Sequence, residues 1–227
     1  MGAKISLLLP TRQRREMFLR FYGSAMELAN KPGNVEIVYY VDADDDSYKG
    51  LNLFNATQTS GDRVVLSEMW NRCYELATGE IFGHMGDDII FRTEGWDDVI
   101  RSTFEEYEDR IAFVYGDDGN GESERNKFGT HGFIHQNWVD AVGYFVPPYF
   151  VSDYNDTWLN DVAKMIGRHR HIDIMTEHMH HSLGKMEPDQ NTKERLERHE
   201  REKPEQVYES KREEREADAE KLRKAMK

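Results

Sequence analysis

At 227 residues the chain is long enough for one well-buried domain with an extension. Its 30 Lys and Arg against 43 Asp and Glu leave a net charge of −13, which disfavours non-specific adhesion to nucleic acid or anionic membrane. Cys73 is the single cysteine, which excludes an intramolecular disulfide and points to a reducing compartment.

Lys4–Leu9 reads as a buried strand ended by Pro10-Thr11-Arg12. Its apolar run is too short for a signal-peptide core or a membrane span, so a soluble, cytoplasmic protein with no membrane partner is expected. Met17, Phe18, Phe21, Tyr22, Met26 and Leu28 recur at helical spacing across Arg15–Ala29, and Lys31-Pro-Gly-Asn34 closes that helix. Val35–Val41 is a second strand, running straight into Asp42-Ala-Asp-Asp-Asp46. Arg63–Leu66 reads as a short third strand. Ser67 is placed to cap a helix through Thr78, which Gly79 ends. The strand Ile81–Met85 meets Asp87-Asp88, and an apolar run resumes at once. A helix over Trp96–Tyr107 and a strand over Ile111–Tyr115 follow, leading into the loop Gly116-Asp-Asp-Gly-Asn-Gly121. Strand and helix alternate, which predicts a largely parallel α/β sheet covered on both faces.

The second half is less regular. It offers an apolar stretch Phe128–Ile134, a helix at Gln136–Val142, a Pro147-Pro148 loop, a helix over Asn155–Ile166 and a last strand His171–Met175. Near Pro188 the aliphatic and aromatic residues nearly vanish. The chain therefore divides into a domain over 1–187 and a charged tail over 188–227, expected as two solvated helical pieces broken at Pro204 and in part disordered. Residues 193–227 carry 12 basic and 11 acidic side chains, so residues 1–192 carry a net −14.

Three acidic clusters fall at predicted strand ends: Asp42 to Asp46, Asp87-Asp88 and Asp117-Asp118. Ligands of open α/β sheets bind outside the carboxyl ends of the strands, so the recurrence means more than each cluster alone. An adjacent pair of half-buried carboxylates needs a cation, and a divalent metal carrying phosphates suits it. The alternative is an acidic turn. An EF-hand starting at Asp42 is excluded, because its sixth and twelfth positions are Ser47 and Leu53. Arg12, Arg14 and Arg15 place guanidinium groups at the first strand end, where they suit phosphate or the carbonyl edge of a pyrimidine. At least one of Arg14 and Arg15 is expected merely to decorate a helix face.

A strand ending Leu-Pro-Thr-Arg, a strand ending in Asp42, the run Leu66-Ser-Glu-Met-Trp-Asn71 through Ala77-Thr-Gly-Glu80, and then Gly86-Asp87-Asp88 follow a recognisable order. It resembles the nucleotide-sugar glycosyltransferases of the GT-A fold, nearest to family 2-type enzymes and particularly small ones encoded by bacteriophages. The resemblance covers roughly residues 4–90, and more loosely extends to about 190. It departs from the family's Asp-x-Asp motif at the first position, which is Gly86 here.

The resemblance implies a transferase acting on a nucleotide sugar, expected as uridine diphosphate-linked, with Mn²⁺ or Mg²⁺ and inversion at the sugar. Pro10, Thr11, Arg12, Arg15, Asp42, Asn71, Asp87 and Lys185 would face the donor, with Asp42 accepting the pyrimidine N3–H. Asp88 would bind the metal, with His178 and then His180 beside it; an unliganded surface histidine cluster is the alternative. Trp96, His131 and Gly132 would line the sugar or acceptor pocket. Ser152-Asp-Tyr-Asn-Asp156 resembles the acceptor-side segment, which makes Asp156 the general base and Asp153 the second choice. Against this, Asn155 or Asp156 is also a good N-cap. The acceptor is left open among a modified nucleobase in DNA, a glycan, a protein and a small molecule, and so is the oligomeric state. The rival readings are a GT-A-like nucleotidyltransferase and a non-catalytic binding protein of the same fold.

Overall fold

The computed structural model describes residues 2–121, 127–181 and 184–227. Strands β1 (Ile5–Thr11) and β2 (Val35–Asp42) are almost wholly apolar because both of their faces are covered. They are joined by helix α1 (Arg15–Glu27), whose Phe18, Phe21, Ala25 and Met26 form the buried face. Strand β3 (Ala56–Gly61) precedes α2 (Leu66–Leu76), β4 (Ile81–His84), β5 (Ile89–Phe91) and α3 (Trp96–Glu105). Then follow β6 (Phe113–Asp117), β7 (Gly132–His135), α4 (Gln136–Val142), α5 (Asn155–Met165) and β8 (His169–His178).

One curled sheet runs β3-β2-β1-β4-β7-β6-β8-β5. The pairs β1–β2, β1–β4, β2–β3 and β6–β8 are parallel; β4–β7, β6–β7 and β5–β8 are antiparallel. Helices α1 and α3 cover one face around Phe18, Phe21, Trp96 and Phe104. Helices α2, α4 and α5 cover the other around Trp70, Trp138 and Trp158. The α/β architecture is the one expected. The three parallel strands β2, β1 and β4 deliver their carboxyl ends side by side, and that edge positions the site.

The third strand differs from expectation. Residues 63–65 are loop, and β3 is the polar Ala-Thr-Gln-Thr-Ser-Gly segment upstream. An edge strand keeps much of its surface in water, so it carries no apolar run to betray it. The final strand is also longer than His171–Met175, spanning His169–His178.

Beyond 188 the chain forms three helices rather than two: α6 (Gln190–Glu202), α7 (Pro204–Ser210) and α8 (Arg212–Ala225). Pro204 starts α7 after Lys203 turns left-handed at φ 47°. These helices are not simply solvated. Tyr208, Ala219 and Leu222 enter the second core, where Asp218 accepts from Trp158 Nε1 at 3.3 Å and from Tyr144. Arg215 lies over the Tyr208 ring at 3.8 Å and the Trp158 ring at 5.4 Å. A few apolar side chains and stacked cations thus dock a segment whose composition alone suggests solvation. Leu222→Ala is expected to cost about 2–4 kcal/mol in urea unfolding, because the side chain is fully buried. Leu196→Ala on the exposed face of α6 should change stability by less than about 0.5 kcal/mol. Equal small effects from both would mean that α8 is undocked. Among the described residues no helix is long and apolar enough to cross a membrane.

Candidate active site

The carboxyl ends of β1, β2 and β4 open into a cleft of about 260 Å³. Its floor is built by an interlocked set of charges. Thr11 Oγ1 donates to Asp87 Oδ2 at 2.7 Å, and Arg14 Nη1 donates to Asp87 Oδ1 at 3.1 Å. Arg12 Nη1 donates to Asp42 Oδ2 at 2.9 Å and also engages Asp44. Asp42 is 3% exposed, and its Oδ1 finds no hydrogen-bond partner among the described residues. Burial lifts its pKa above the usual carboxylate range even with Arg12 and Arg63 beside it. An acceptor left open inside a cleft is a place for an incoming N–H.

Asp87 and Asp88 part company. Asp87 turns toward Thr11 and Arg14, and burial outweighs that arginine, raising its pKa to about 6. Asp88 turns the other way, to His178, with Oδ2 3.3 Å from Nε2. Burial opposes ionisation of Asp88, yet the hydrogen bond and charge of His178 override it and hold the carboxylate below the ordinary range. His131, on the loop before β7, completes the group: ligand-type atoms of Asp88, His131 and His178 all lie within 4.8 Å of one another. Burial and the neighbouring His178 keep His131 neutral at physiological pH, and its Nδ1 has no partner among the described residues. Two imidazole nitrogens and one carboxylate suit a divalent transition-metal ion, so the residues fit such a group. Gly86 now has a reason. A Cβ there would come within 2.8 Å of Asp88 Oδ1, so a side chain at this position would crowd the Asp88 carboxylate out of its place.

Across the cleft, the first turn of α5 presents Asp156. The capping position is Tyr154, left-handed at φ 77° and without a side-chain cap, so neither Asn155 nor Asp156 is the N-cap. Asp156 Oδ1 accepts from the Thr157 amide and hydroxyl of the adjacent residue, at 2.8 and 3.4 Å. Burial first, and the charge of Asp153 as well, raise its pKa to about 6. Asp153 is held differently. Arg195 Nη1 lies 2.6 Å from Oδ1 and His199 Nδ1 2.6 Å from Oδ2, and the arginine's charge with the two hydrogen bonds outweighs burial and depresses its pKa.

The cleft brings together Pro10, Thr11, Arg12, Asp42, Asp87, Asp88, His131, Asp153, Asp156, His178 and His180. Five other expected residues stand outside it. Trp96 is fully buried between Phe91 and Phe133, with Nε1 donating to Ala25 O at 2.9 Å; it is core, because Gly95 turns it inward at the start of α3. Asn71 clamps the 145–146 loop, accepting from Phe145 N at 3.0 Å and donating to Val146 O at 2.9 Å. Lys185 pairs with Glu177 at 2.9 Å, and Gly132 is a strand residue paired with Tyr115. Arg15 lies outside as well, bonded to Ser47 O, while Arg14 takes the inward place: the left-handed Gln13 (φ 52°) turns the chain between them. His180 sits in the cleft with its ring 5.0 Å from that of His178, outside the three-residue group.

Sequence reasoning missed the roof. Helix α6 lies across the cleft and contributes Asn191, Thr192, Arg195 and Arg198. Asp189 at its N-cap accepts from Arg14 Nη2 at 2.7 Å, and Arg63 meets Glu194. The only signal was the shift in charge along the chain, from a net −14 over residues 1–192 to +1 over residues 193–227. His84 was also missed: its ring packs at a tilt against Trp70, 4.1 Å between centroids, and burial lowers its pKa to about 3.

The sheet order and the cleft at its carboxyl edge define a GT-A-like α/β fold. No family model matches the sequence, and no curated protein does. Among solved structures the chain is similar to the mannosyltransferase PcManGT from Pyrobaculum calidifontis in complex with GDP-mannose and Mn²⁺. That match has a TM-score of 0.57 at 13% identity, covering 78% of this chain and 57% of that one. It is also similar to residues 1–349 of S. aureus TarS, with a TM-score of 0.55 at 13% identity and coverage of 76% and 57%. A further S. aureus TarS structure gives 0.53 at 14% identity, covering 77% of this chain and 35% of that one. The chain thus spans a little over half the length of the first two, and at these identities the likeness is one of fold.

Proposed function

We propose that this chain transfers a sugar from a nucleotide-sugar donor to an acceptor hydroxyl, with a divalent cation and with inversion. The observation that carries the reading is the content of one cleft: an unsatisfied buried acceptor at Asp42, the Asp88–His131–His178 group, and a poised carboxylate at Asp156. The P. calidifontis enzyme, of like fold, was captured with GDP-mannose and Mn²⁺, which supports the same ligand classes here.

In this reading Pro10, Thr11, Arg12 and Asp42 hold the nucleoside, and Asp87 faces the donor ribose or sugar from its seat on Thr11 and Arg14. Asp88, His131 and His178 hold the cation; two nitrogen donors favour Mn²⁺ over Mg²⁺, which prefers oxygen. Such a cation, when bound, stabilises negative charge on the departing diphosphate. Asp156 accepts the proton of the acceptor hydroxyl as that oxygen attacks the sugar's anomeric carbon and the bond to the diphosphate breaks. Asp153, tied to Arg195 and His199, is a positioning residue that fixes α6 beside the base.

The test is donor hydrolysis without an acceptor. The full chain with Mn²⁺ and a panel of UDP-, GDP- and dTDP-sugars is expected to release nucleoside diphosphate slowly, and EDTA should stop it. Pyrophosphate-dependent exchange in its place would favour a nucleotidyltransferase. Absence of both turnover and nucleotide binding would leave a scaffold of the same fold.

A further inference from the structure

The cleft contains a second polar atom left open, and it belongs to α6. Arg198 is half-buried, and its Nε is enclosed without a hydrogen-bond partner among the described residues. The other cleft arginines are engaged: Arg12 with Asp42 and Asp44, Arg14 with Asp87 and Asp189, Arg63 with Glu194, Arg195 with Asp153. Arg198 lies at the Asp42 end of the cleft, close enough to feel the charges of Asp42, Arg63 and Glu194. Burial and the neighbouring Arg63 make its positive charge uncomfortable as it stands, which is the condition of a donor awaiting an acceptor.

An enclosed donor and an enclosed acceptor at one end of a cleft define the complement they will take. Asp42 Oδ1 requires an N–H, and Arg198 Nε requires a lone pair. We propose that Arg198 and Asp42 together read the lactam edge of the donor's nucleobase, Asp42 accepting the ring N–H and Arg198 donating to the adjacent carbonyl. The inference rests on the nucleotide-sugar reading above and adds a specificity determinant supplied by α6.

Uracil, thymine and guanine carry a ring N–H beside a carbonyl. Cytosine and adenine present the inverse, a bare ring nitrogen beside an amino group. Against this pair of residues the inverse edge sets acceptor against carboxylate and donor against guanidinium, and leaves both protein groups unsatisfied. The roof helix therefore completes, with Asp42 of the floor, the pair that selects the base class, while Asp88, His131 and His178 are left to the cation.

Isothermal titration of the full chain with Mn²⁺ and UDP, GDP, CDP, ADP and UMP tests this. UDP or GDP is expected to bind at least about tenfold more tightly than CDP and ADP, as follows when a buried hydrogen-bonding pair is matched or mismatched. Arg198→Ala should weaken the preferred diphosphate by about tenfold or more, weaken UMP in the same proportion if uracil is the preferred base, and leave CDP unchanged, so that selectivity collapses. Because the readout is a ratio within one variant, a partial loss of fold does not mimic it, and the melting temperature of the variant is measured alongside. Equal loss across all nucleotides, or a loss confined to the diphosphates, would put Arg198 on the phosphates and overturn the assignment. Unchanged binding in Arg198→Ala would overturn it as well. Failure of the wild type to bind any nucleoside diphosphate would instead defeat the nucleotide-sugar reading itself.

Discussion

Asp156→Asn is expected to slow sugar transfer about a thousandfold while changing donor affinity by less than about twofold. The residue is suited to take a proton because its surroundings raise its basicity without pairing it. Burial and the charge of Asp153 bring its pKa to about 6, so it is ionised at neutral pH and still basic enough to act. The rate of the wild type should therefore fall below about pH 6 as Asp156 protonates, and the variant should lose that limb. The linkage with stability runs in the opposite sense. Its folded pKa lies above the unfolded value, so stability is lost as the pH rises from about 4 through 6, where the buried group is forced to ionise. Asparagine removes that penalty. At pH 7.5 the variant should be at least as stable as the wild type, gaining about 3 kcal/mol at most. Rate and donor titrations, with thermal melts at two pH values, check all three statements. Loss of stability together with equal loss of donor binding and transfer would mark Asp156 as structural.

Asp88→Ala is expected to weaken Mn²⁺ binding on the order of a hundredfold or more and to remove metal-dependent donor binding with it. The same loss should follow from His131→Ala and His178→Ala, since the three side chains converge within 4.8 Å. His180→Ala, outside that group, should lose much less. Calorimetry of Mn²⁺ with and without UDP separates these outcomes, and unchanged affinity in Asp88→Ala sinks the metal assignment. Gly86→Ala adds a control. Its Cβ would crowd Asp88 Oδ1 at 2.8 Å, so it should weaken the metal without removing a ligand.

How far the sequence foretold this site follows from where the information sits. Strands β1, β2 and β4 were legible because strands buried on both faces must be nearly all apolar, and Asp42, Asp87 and Asp88 were legible as carboxylates breaking those runs. Strand β3 was not, because an edge exposes its surface to water. Arg14 and Arg15 are indistinguishable by type and adjacent in sequence; only the left-handed turn at Gln13 decides which one enters the cleft. His131 is expected from the sequence in the sugar or acceptor pocket, and its place beside Asp88 and His178 was not legible, because those partners are about 45 residues away on either side and leave no local spacing. Trp96 was misplaced for the converse reason. Its neighbourhood to the acidic pair along the chain does not carry over into space once α3 turns its ring into the core.

The bond between Arg14 and Asp189 joins residues 175 positions apart, and Arg195 reaches Asp153 over 42. Floor and roof of the cleft are thus made at very different moments of synthesis. At translation speeds of about 5–20 residues per second the floor waits on the order of ten seconds or more for its roof. During that interval Arg14 lacks Asp189, Arg63 lacks Glu194, and Asp153 lacks Arg195 and His199, so charges of both signs stand open to water in the nascent cleft. Closure has to join distant segments, which is the slow kind of contact formation. Ligand competence is consequently acquired late and all at once, when a helix of mostly charged residues settles onto a floor already folded.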